Sequence, residues 1–370
     1  MAARVQPIVI WFGRVGDMIL LSTLLDILHR RYGAPCHLVG AGPWPAELYA
    51  SHADVARVSC LHRYTAFLFD PAWWRTLRAL RASREAPVYV CEYDPRKLAR
   101  IRRLLACAGI DARRCLYITD DPGFARARHW VDRLVSFGRL TPPAFSASDY
   151  PWPEPPPRCA PRLEVSAAAR SDCARWIAAQ GWQQRPLVLV QPGNRRTMRG
   201  NRLKPSAQDD KAWPVERWAA LLRQVHRQLP QAVIVLCGAP RESLLLGWIA
   251  SATALPEVVA AELPLPRLLA LCARAHSMIS VDTGPAHAAA ALSLPLVVLF
   301  GAHAQAEWLP RSAAGSAVVG IGGPPQSTRL DQIDMQTVFA AWCALPLRPL
   351  AAGSDDALPF TPPATSATAP

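Results

Sequence analysis

Along most of the chain, short apolar runs closed by Gly or Pro alternate with longer stretches whose apolar residues recur at helical spacing. That is the pattern of βαβ units around a parallel sheet. The first half predicts strands at 7–12, 36–39, 55–60, 88–91 and 115–118, with helices at 17–31, 45–51, 72–83, 95–107 and 125–137. A Pro-rich stretch, TPPAFSASDYPWPEPPPRCAP, runs from Thr141 to Pro161, and a helix at 167–180 follows it. The pattern then restarts, with strands at 187–191, 233–237, 277–281, 296–300 and 317–321 and helices at 215–228, 241–250, 265–273, 285–292 and 331–345. Two Rossmann-like halves in tandem leave a cleft between their strand ends, where ligands of open α/β sheets bind.

At 370 residues, 51% hydrophobic and 19% charged, the chain can bury a sizeable core, which excludes a peptide-sized module or a wholly disordered protein. The pattern divides it into a domain at 1–140, a Pro-rich linker at 141–165, a second domain at 166–349 and a tail at 350–370. The tail is Ala, Pro, Ser and Thr with little apolar mass, so disorder is expected there. Every apolar stretch is too short, or too interrupted by charge, for the roughly 20 residues of a membrane span. At the N-terminus IVIWF gives way at once to Gly13, Arg14, Gly16 and Asp17, without the length or cleavage site of a signal peptide, so a cytoplasmic location is expected. Ten cysteines stand singly, with no Cys-x-x-Cys pair, and read as buried reduced thiols. The net charge of +13 would suit nucleic acid, but the cations are spread over both halves and no base-stacking or groove-reading motif accompanies them, so no nucleic-acid partner is expected.

Three loops carry candidate chemistry. The strand at 277–281 ends in DTGPAH (Asp282 to His287), with Pro285 in the first turn of the next helix. Free N–H groups, the positive helix end, the Thr283 hydroxyl and His287 make an anion site suited to a diphosphate, unless Asp282 or Thr283 serves only as a cap. The strand at 187–191 ends in QPGN, and Arg195, Arg196, Arg199, Arg202, Lys204 and Lys211 follow before Trp213. These six cations could clamp phosphate oxygens or form a solvated basic loop, and Lys211 is the best placed because it immediately precedes a helix. The first strand ends in FGRVGD, which lacks the GxGxxG spacing. There Asp17 suits a general base and, equally, a helix cap.

Taken together, FGRVGDMILLSTLL, QPGN with KAWPVERW, CGAPRE and ISVDTGPAHAAAALSLPLVVLFGA resemble glycosyltransferase family 9, the ADP-heptose:lipopolysaccharide heptosyltransferases and their relatives. The resemblance implies an α/β GT-B fold, two Rossmann-like domains with parallel sheets facing a central cleft. It also implies an inverting, metal-independent transfer with no cofactor, from a nucleotide-diphosphate sugar, ADP-heptose, to a lipopolysaccharide-core or related anionic glycolipid. The N-terminal domain would bind the acceptor and the C-terminal domain the nucleotide sugar. Asp17 matches the catalytic base, Lys211 the donor-binding lysine, and Thr283, Gly284 and His287 the diphosphate site. Asp282 would contact the sugar, Glu242 the ribose and Leu263 the base, with Gly193 and Asn194 completing the donor site. Arg14, Gly16, Arg195 and Arg196 are assigned to the acceptor. No Asp-x-Asp motif occurs, so a metal-bridged diphosphate is not indicated. The insert RRTMRGNRLKPSAQDD departs from the family pattern, and its contacts do not transfer.

Two other readings stand beside this one: a nucleotide-sugar epimerase-like enzyme, and a non-catalytic GT-B protein binding a phosphorylated glycan. The segment FDPAWWRTLRALRASR offers a peripheral contact with the cytoplasmic face of the inner membrane, with Trp73, Trp74, Leu77 and Leu80 on one stripe among Arg75, Arg78, Arg81 and Arg84. The same stripe would equally pack on the N-terminal sheet.

Overall fold

The structure is a computed structural model that describes residues 4–61, 69–124, 126, 129–155, 159–194, 196–200, 202–204 and 211–346. Part of the basic insert and the whole 350–370 tail lie outside the described residues.

In the first half the elements run β1 (Ile8–Ile10), α1 (Val15–Tyr32), β2 (Cys36–Ala41), α2 (Trp44–Tyr49), β3 (Val55–Leu61) and α3 (Pro71–Ala82), then β4 (Val88–Val90), α4 (Pro95–Ala108), β5 (Cys115–Tyr117) and α5 (Trp130–Arg139). The strands form one parallel sheet in the order β3-β2-β1-β4-β5. After the linker come α6 (Ala167–Ala179), β6 (Leu187–Gln191), the paired short strands β7 (Met198–Arg199) and β8 (Arg202–Leu203), α7 (Val215–Gln228), β9 (Val233–Gly238) and α8 (Ser243–Thr253). The chain continues through β10 (Val258–Glu262), α9 (Leu265–Arg274), β11 (Ser277–Val281), α10 (Gly284–Ala291), β12 (Leu296–Phe300), α11 (Gln305–Trp308), β13 (Val318–Gly322) and α12 (Met335–Cys343). The second sheet is also parallel, in the order β10-β9-β6-β11-β12-β13. Strand order reverses between β1 and β4 in one sheet and between β6 and β11 in the other, and these are the switch points where ligands of such sheets bind.

Helix α1 explains the run MILLSTLLDIL. Met18 to Leu21, Leu24, Leu25, Ile27 and Leu28 are all fully buried, because the first sheet covers one side of the helix and α5 and α10 the other. One apolar cluster therefore runs through both halves, from Val9 and Trp11 to Leu296 and Phe300. The 140–166 stretch contains no helix or strand among its described residues, and the buried Arg31 of α1 pins it in place. Its guanidinium donates to the carbonyls of Gly138, Leu140 and Tyr150 at 2.7–3.0 Å and to the Thr141 hydroxyl at 2.5 Å. Six of the ten cysteines are buried, and all ten are free thiols.

Several elements differ from the sequence expectation. Strand β10 was not anticipated: it is a half-exposed edge strand with two alanines, which weakens its apolar signature. The helix expected from 125 starts at Trp130, where His129 caps it by accepting from the Val131 amide at 3.1 Å. The helix expected from 331 starts at Met335, capped by Asp334, after a separate short turn at Leu330–Gln332. On α3, Trp73, Leu77 and Leu80 belong to the core, so they cannot reach a membrane interface. Trp74, 50% exposed, and Phe69, 92% exposed, remain on the outside. No helix among the described residues is long and apolar enough to cross a membrane.

Candidate active site

At the first switch point the turn after β1 folds back sharply. A Cβ on Gly13 would lie 2.5 Å from the Asp17 Cβ, so glycine is what lets the aspartate close over its own loop. Asp17 Oδ2 accepts the Arg14 amide at 2.7 Å, a genuine cap, while Oδ1 takes no hydrogen bond among the described residues. Burial pushes the Asp17 carboxyl above its ordinary 3.8, against the pull of the Arg14 amide and of the Lys97 and Arg14 charges, and Glu92 adds to the rise. A carboxylate with raised proton affinity and a free oxygen is equipped to take a proton. Beside it, buried Glu92, two residues past β4, accepts the Tyr93 and Asp94 amides at 3.1 and 3.0 Å. Lys97 bridges the two loops, 3.5 Å from Glu92 and donating to the Phe12 carbonyl at 2.9 Å. The half-exposed Tyr93 ring feels the charge of Asp17 and leans on Trp130, with centroids 5.2 Å apart.

At the second switch point QPGN forms a tight cradle. Gln191 donates to the Gly193 carbonyl at 2.9 Å and reaches Glu242 at 3.4 Å, and a Cβ on Gly193 would lie 2.8 Å from Leu245. The Glu242 carboxyl, raised by burial, accepts the Ala239 amide at 2.9 Å. Leu263 follows β10 and donates its amide to the Gly238 carbonyl at 3.0 Å, which brings it to the same edge as Glu242. Asn194 accepts the Arg196 amide on Oδ1 at 2.7 Å, while its Nδ2 is buried without a partner among the described residues.

The DTGPAH turn is not a simple cap. Thr283 occupies the N-cap position, yet its hydroxyl donates back to the Val281 carbonyl at 3.1 Å and makes no capping bond. Asp282 instead binds buried Lys211, whose Nζ donates to the Asp282 carbonyl and to Oδ2, both at 2.7 Å. Burial pushes the Asp282 carboxyl up, but the His303 hydrogen bond and the Lys211 ammonium outweigh it and bring it down to about 2. Burial, opposed by Asp282, takes His287 down to about 4, so its imidazole is neutral at physiological pH. The His287 Nδ1 is buried without a partner among the described residues.

The two turns meet. A Cβ on Gly284 would lie 3.0 Å from the Val15 Cβ and 3.1 Å from the Gly16 nitrogen, and one on Gly16 would lie 3.4 Å from the His287 ring. The starts of α1 and α10 thus face each other across bare backbone. A further contact holds the halves beside the site. Trp130 of α5 packs against Trp308 of α11 at 5.3 Å, Arg311 grips Asp132 through two bonds of 2.6 and 2.8 Å, and His129 Nε2 donates to the Leu309 carbonyl at 2.9 Å.

Of the residues expected from sequence, Asp17, Gly16, Gly284 and His287 come together at this meeting point, with Lys211 and Asp282 joined behind them. Glu242, Leu263, Gly193 and Asn194 line the neighbouring strand ends. Arg14 is exposed on the first loop and Arg196 on the second, and Arg195 lies outside the described residues. Arg199 and Arg202 sit exposed on the β7–β8 hairpin, whereas Lys211 is buried. Sequence reading missed Glu92, Tyr93, Lys97, Trp308 and His303. The available signal for His303 was its place just beyond β12, next to switch strand β11. Among the described residues no group of three or more His, Cys, Asp or Glu could hold a metal ion.

Residues 125–333, just over half of the chain, match glycosyltransferase family 9 (heptosyltransferase). A 114-residue segment is 33% identical to lipopolysaccharide heptosyltransferase 3 of Escherichia coli; it spans 30% of this chain and only a third of that relative's length. The fold is that of E. coli ADP-heptose lps heptosyltransferase II, at a TM-score of 0.69 and 21% identity, over 92% of this chain and 98% of the other. The E. coli heptosyltransferase WaaC, solved with ADP, aligns at 0.62 and 17% identity, over 90% and 98%. The architecture is accordingly GT-B, as the resemblance implied.

Proposed function

Because the chain belongs to glycosyltransferase family 9, we propose that it is an inverting transferase that moves heptose from ADP-heptose to a lipopolysaccharide-core acceptor. The observation that carries this reading is the abutment of the Asp17 turn on the DTGPAH turn, a proton-accepting carboxylate against an anion-binding helix start. The choice of ADP rests on relatives that are named for ADP-heptose or solved with ADP.

On this route Asp17 Oδ1 removes the proton of the acceptor hydroxyl as that oxygen attacks the anomeric carbon from the side opposite the diphosphate. The bond from the anomeric carbon to the phosphate oxygen breaks, its electron pair stays with the leaving nucleotide, and the configuration inverts. The positive end of α10, Thr283, Gly284, the neutral His287 and the unused Asn194 amide would hold the diphosphate, with Lys211 adding charge behind them. Among the described residues Lys211 and His303 both bind Asp282 through Oδ2, so Oδ1 would serve a sugar hydroxyl. Glu242 suits the ribose hydroxyls and Leu263 the base. With these groups the transfer would need neither a metal nor a further cofactor. Arg14 and Arg196, both exposed on the loops after β1 and β6, would meet an anionic acceptor. The acceptor would be reached at the cytoplasmic face of a membrane, with Trp74, Phe69 and the α3 arginines turned outward.

The test is a thermal-shift panel of ADP, UDP, GDP and CMP with their sugars, followed by determination of the product's anomeric configuration. The reading requires the largest stabilisation by ADP compounds and an inverted product. Selective stabilisation by another nucleotide would refute the donor, and retained configuration would refute the mechanism.

A further inference from the structure

His303 lies three residues beyond β12, and the geometry points to a direct part for it in holding the donor: we infer that its Nε2 contacts the diphosphate of the bound nucleotide. Nδ1 is 2.8 Å from Asp282 Oδ2, one face of the ring is stacked on Trp308 at 5.9 Å and 27°, and the side chain is still 42% exposed. A ring whose Nδ1 edge is turned to a buried carboxylate, and one of whose faces lies on an indole, presents its remaining edge, Nε2, to the cleft. Lys211 and Asp282 are nearly covered, so His303 is the exposed end of the three-membered Lys211–Asp282–His303 chain. Trp308 in turn rests on Trp130 of the other half, so both halves fix the ring.

Among the described residues His303 shares its carboxylate partner, Asp282 on the turn after β11, with Lys211 ahead of α7, whose ammonium binds the same oxygen. His287 on α10 is neutral, Trp308 carries no charge, and Glu307 is the nearest ionisable residue along its own segment. With Nδ1–H bound to Asp282, a protonated Nε2 donates to a phosphate oxygen, and no proton is transferred; the leaving oxygen keeps the bonding electron pair while the charged hydrogen bond stabilises it.

This inference rests on the proposed nucleotide-sugar donor. Asn at 303 keeps an amide donor near the Nδ1 position and deletes Nε2, whereas Gln places a donor near Nε2 and gives up the Nδ1 position. Titration calorimetry with ADP and AMP is compared for wild type, His303→Asn and His303→Gln at neutral pH. Expected is a loss of roughly tenfold or more in ADP affinity for the Asn variant with AMP little changed, and an ADP affinity closer to wild type for the Gln variant. A structural partner of Asp282 would give the reverse, an unimpaired Asn variant and an impaired Gln variant, and that result overturns the inference. Failure of the wild type to bind ADP refutes the donor reading, and this inference with it, whereas ADP binding undisturbed by His303→Asn refutes the inference alone.

Discussion

Lys211→Met removes the ammonium that neutralises Asp282 while keeping most of the stem's volume. Both side chains are almost fully covered, so the carboxylate would be left in the interior with His303 as its one remaining bonded partner among those described. Breaking a buried pair by deleting one member costs about 3–5 kcal/mol, because the surviving charge has lost its compensation. The native environment of Asp282 gives an independent scale: a carboxyl held at about 2 rather than 3.8 contributes about 2 kcal/mol at neutral pH. That contribution is present above pH 3.8 and is lost as the pH falls toward 2. In Lys211→Met the ammonium no longer helps to outweigh burial, so the folded-state value rises and the stabilising contribution at neutral pH shrinks. The penalty then shrinks as acid protonates the carboxyl. Urea titrations of wild type, Lys211→Met, Asp282→Asn and the double variant at neutral pH, and again near pH 4, measure this directly. The double variant should recover most of the loss, since a neutral amide needs no counter-charge. Stability of Lys211→Met within about 0.5 kcal/mol of wild type at neutral pH, or a double variant no better than the single, would show that the pair is not what holds this turn.

Asp17→Asn retains an oxygen for the Arg14 amide, so stability and ADP affinity should stay near wild type while turnover falls by roughly 10²–10⁴; full activity in a transfer assay would reduce Asp17 to a cap. Gly284→Ala places a methyl 3.1 Å from the backbone nitrogen of Gly16, which cannot move aside as a side chain can. A loss of about 1–3 kcal/mol in urea unfolding is expected, and an unchanged midpoint would mean that the two turns are not in contact in solution. Changing Arg75, Arg78 and Arg81 to Glu should abolish low-salt co-sedimentation with vesicles containing anionic lipid; if wild type itself fails to sediment, α3 is only a solvated face.

The strands Leu187–Gln191, Ser277–Val281 and Leu296–Phe300 could be read to the residue because each is an apolar run buried on both faces and closed by a loop signal. Val258–Glu262 could not, since an edge strand shares its outer face with water and relaxes the demand for branched apolar residues. The start of α5 was misplaced because histidine is an uncommon cap, recognisable only once its Nδ1 is seen under the Val131 amide. At the site, DTGPAH and the turn bearing Asp17 were legible from their positions after strands. The partner of Lys211 was not, for Asp282 is 71 residues away and the two meet only because β6 and β11 are neighbours in the sheet. His303 was missed for a related reason: only its place just past β12 pointed to it, and that place gains significance from β12 lying beside β11.

The meeting of α1 and α10 start to start sets two like electrostatic poles against each other, each equivalent to roughly half a positive charge. Such an arrangement would be repelled apart if left bare, and the Asp17 carboxylate is the resident counterweight. During the proposed transfer that carboxylate becomes neutral as it gains the acceptor's proton, at the moment when the departing nucleotide gains one negative charge a few ångströms away. The sum of charge seen by the two poles is the same before and after. The helix ends therefore need not reorient between substrate and product, and the same fixed field serves the reaction from start to finish.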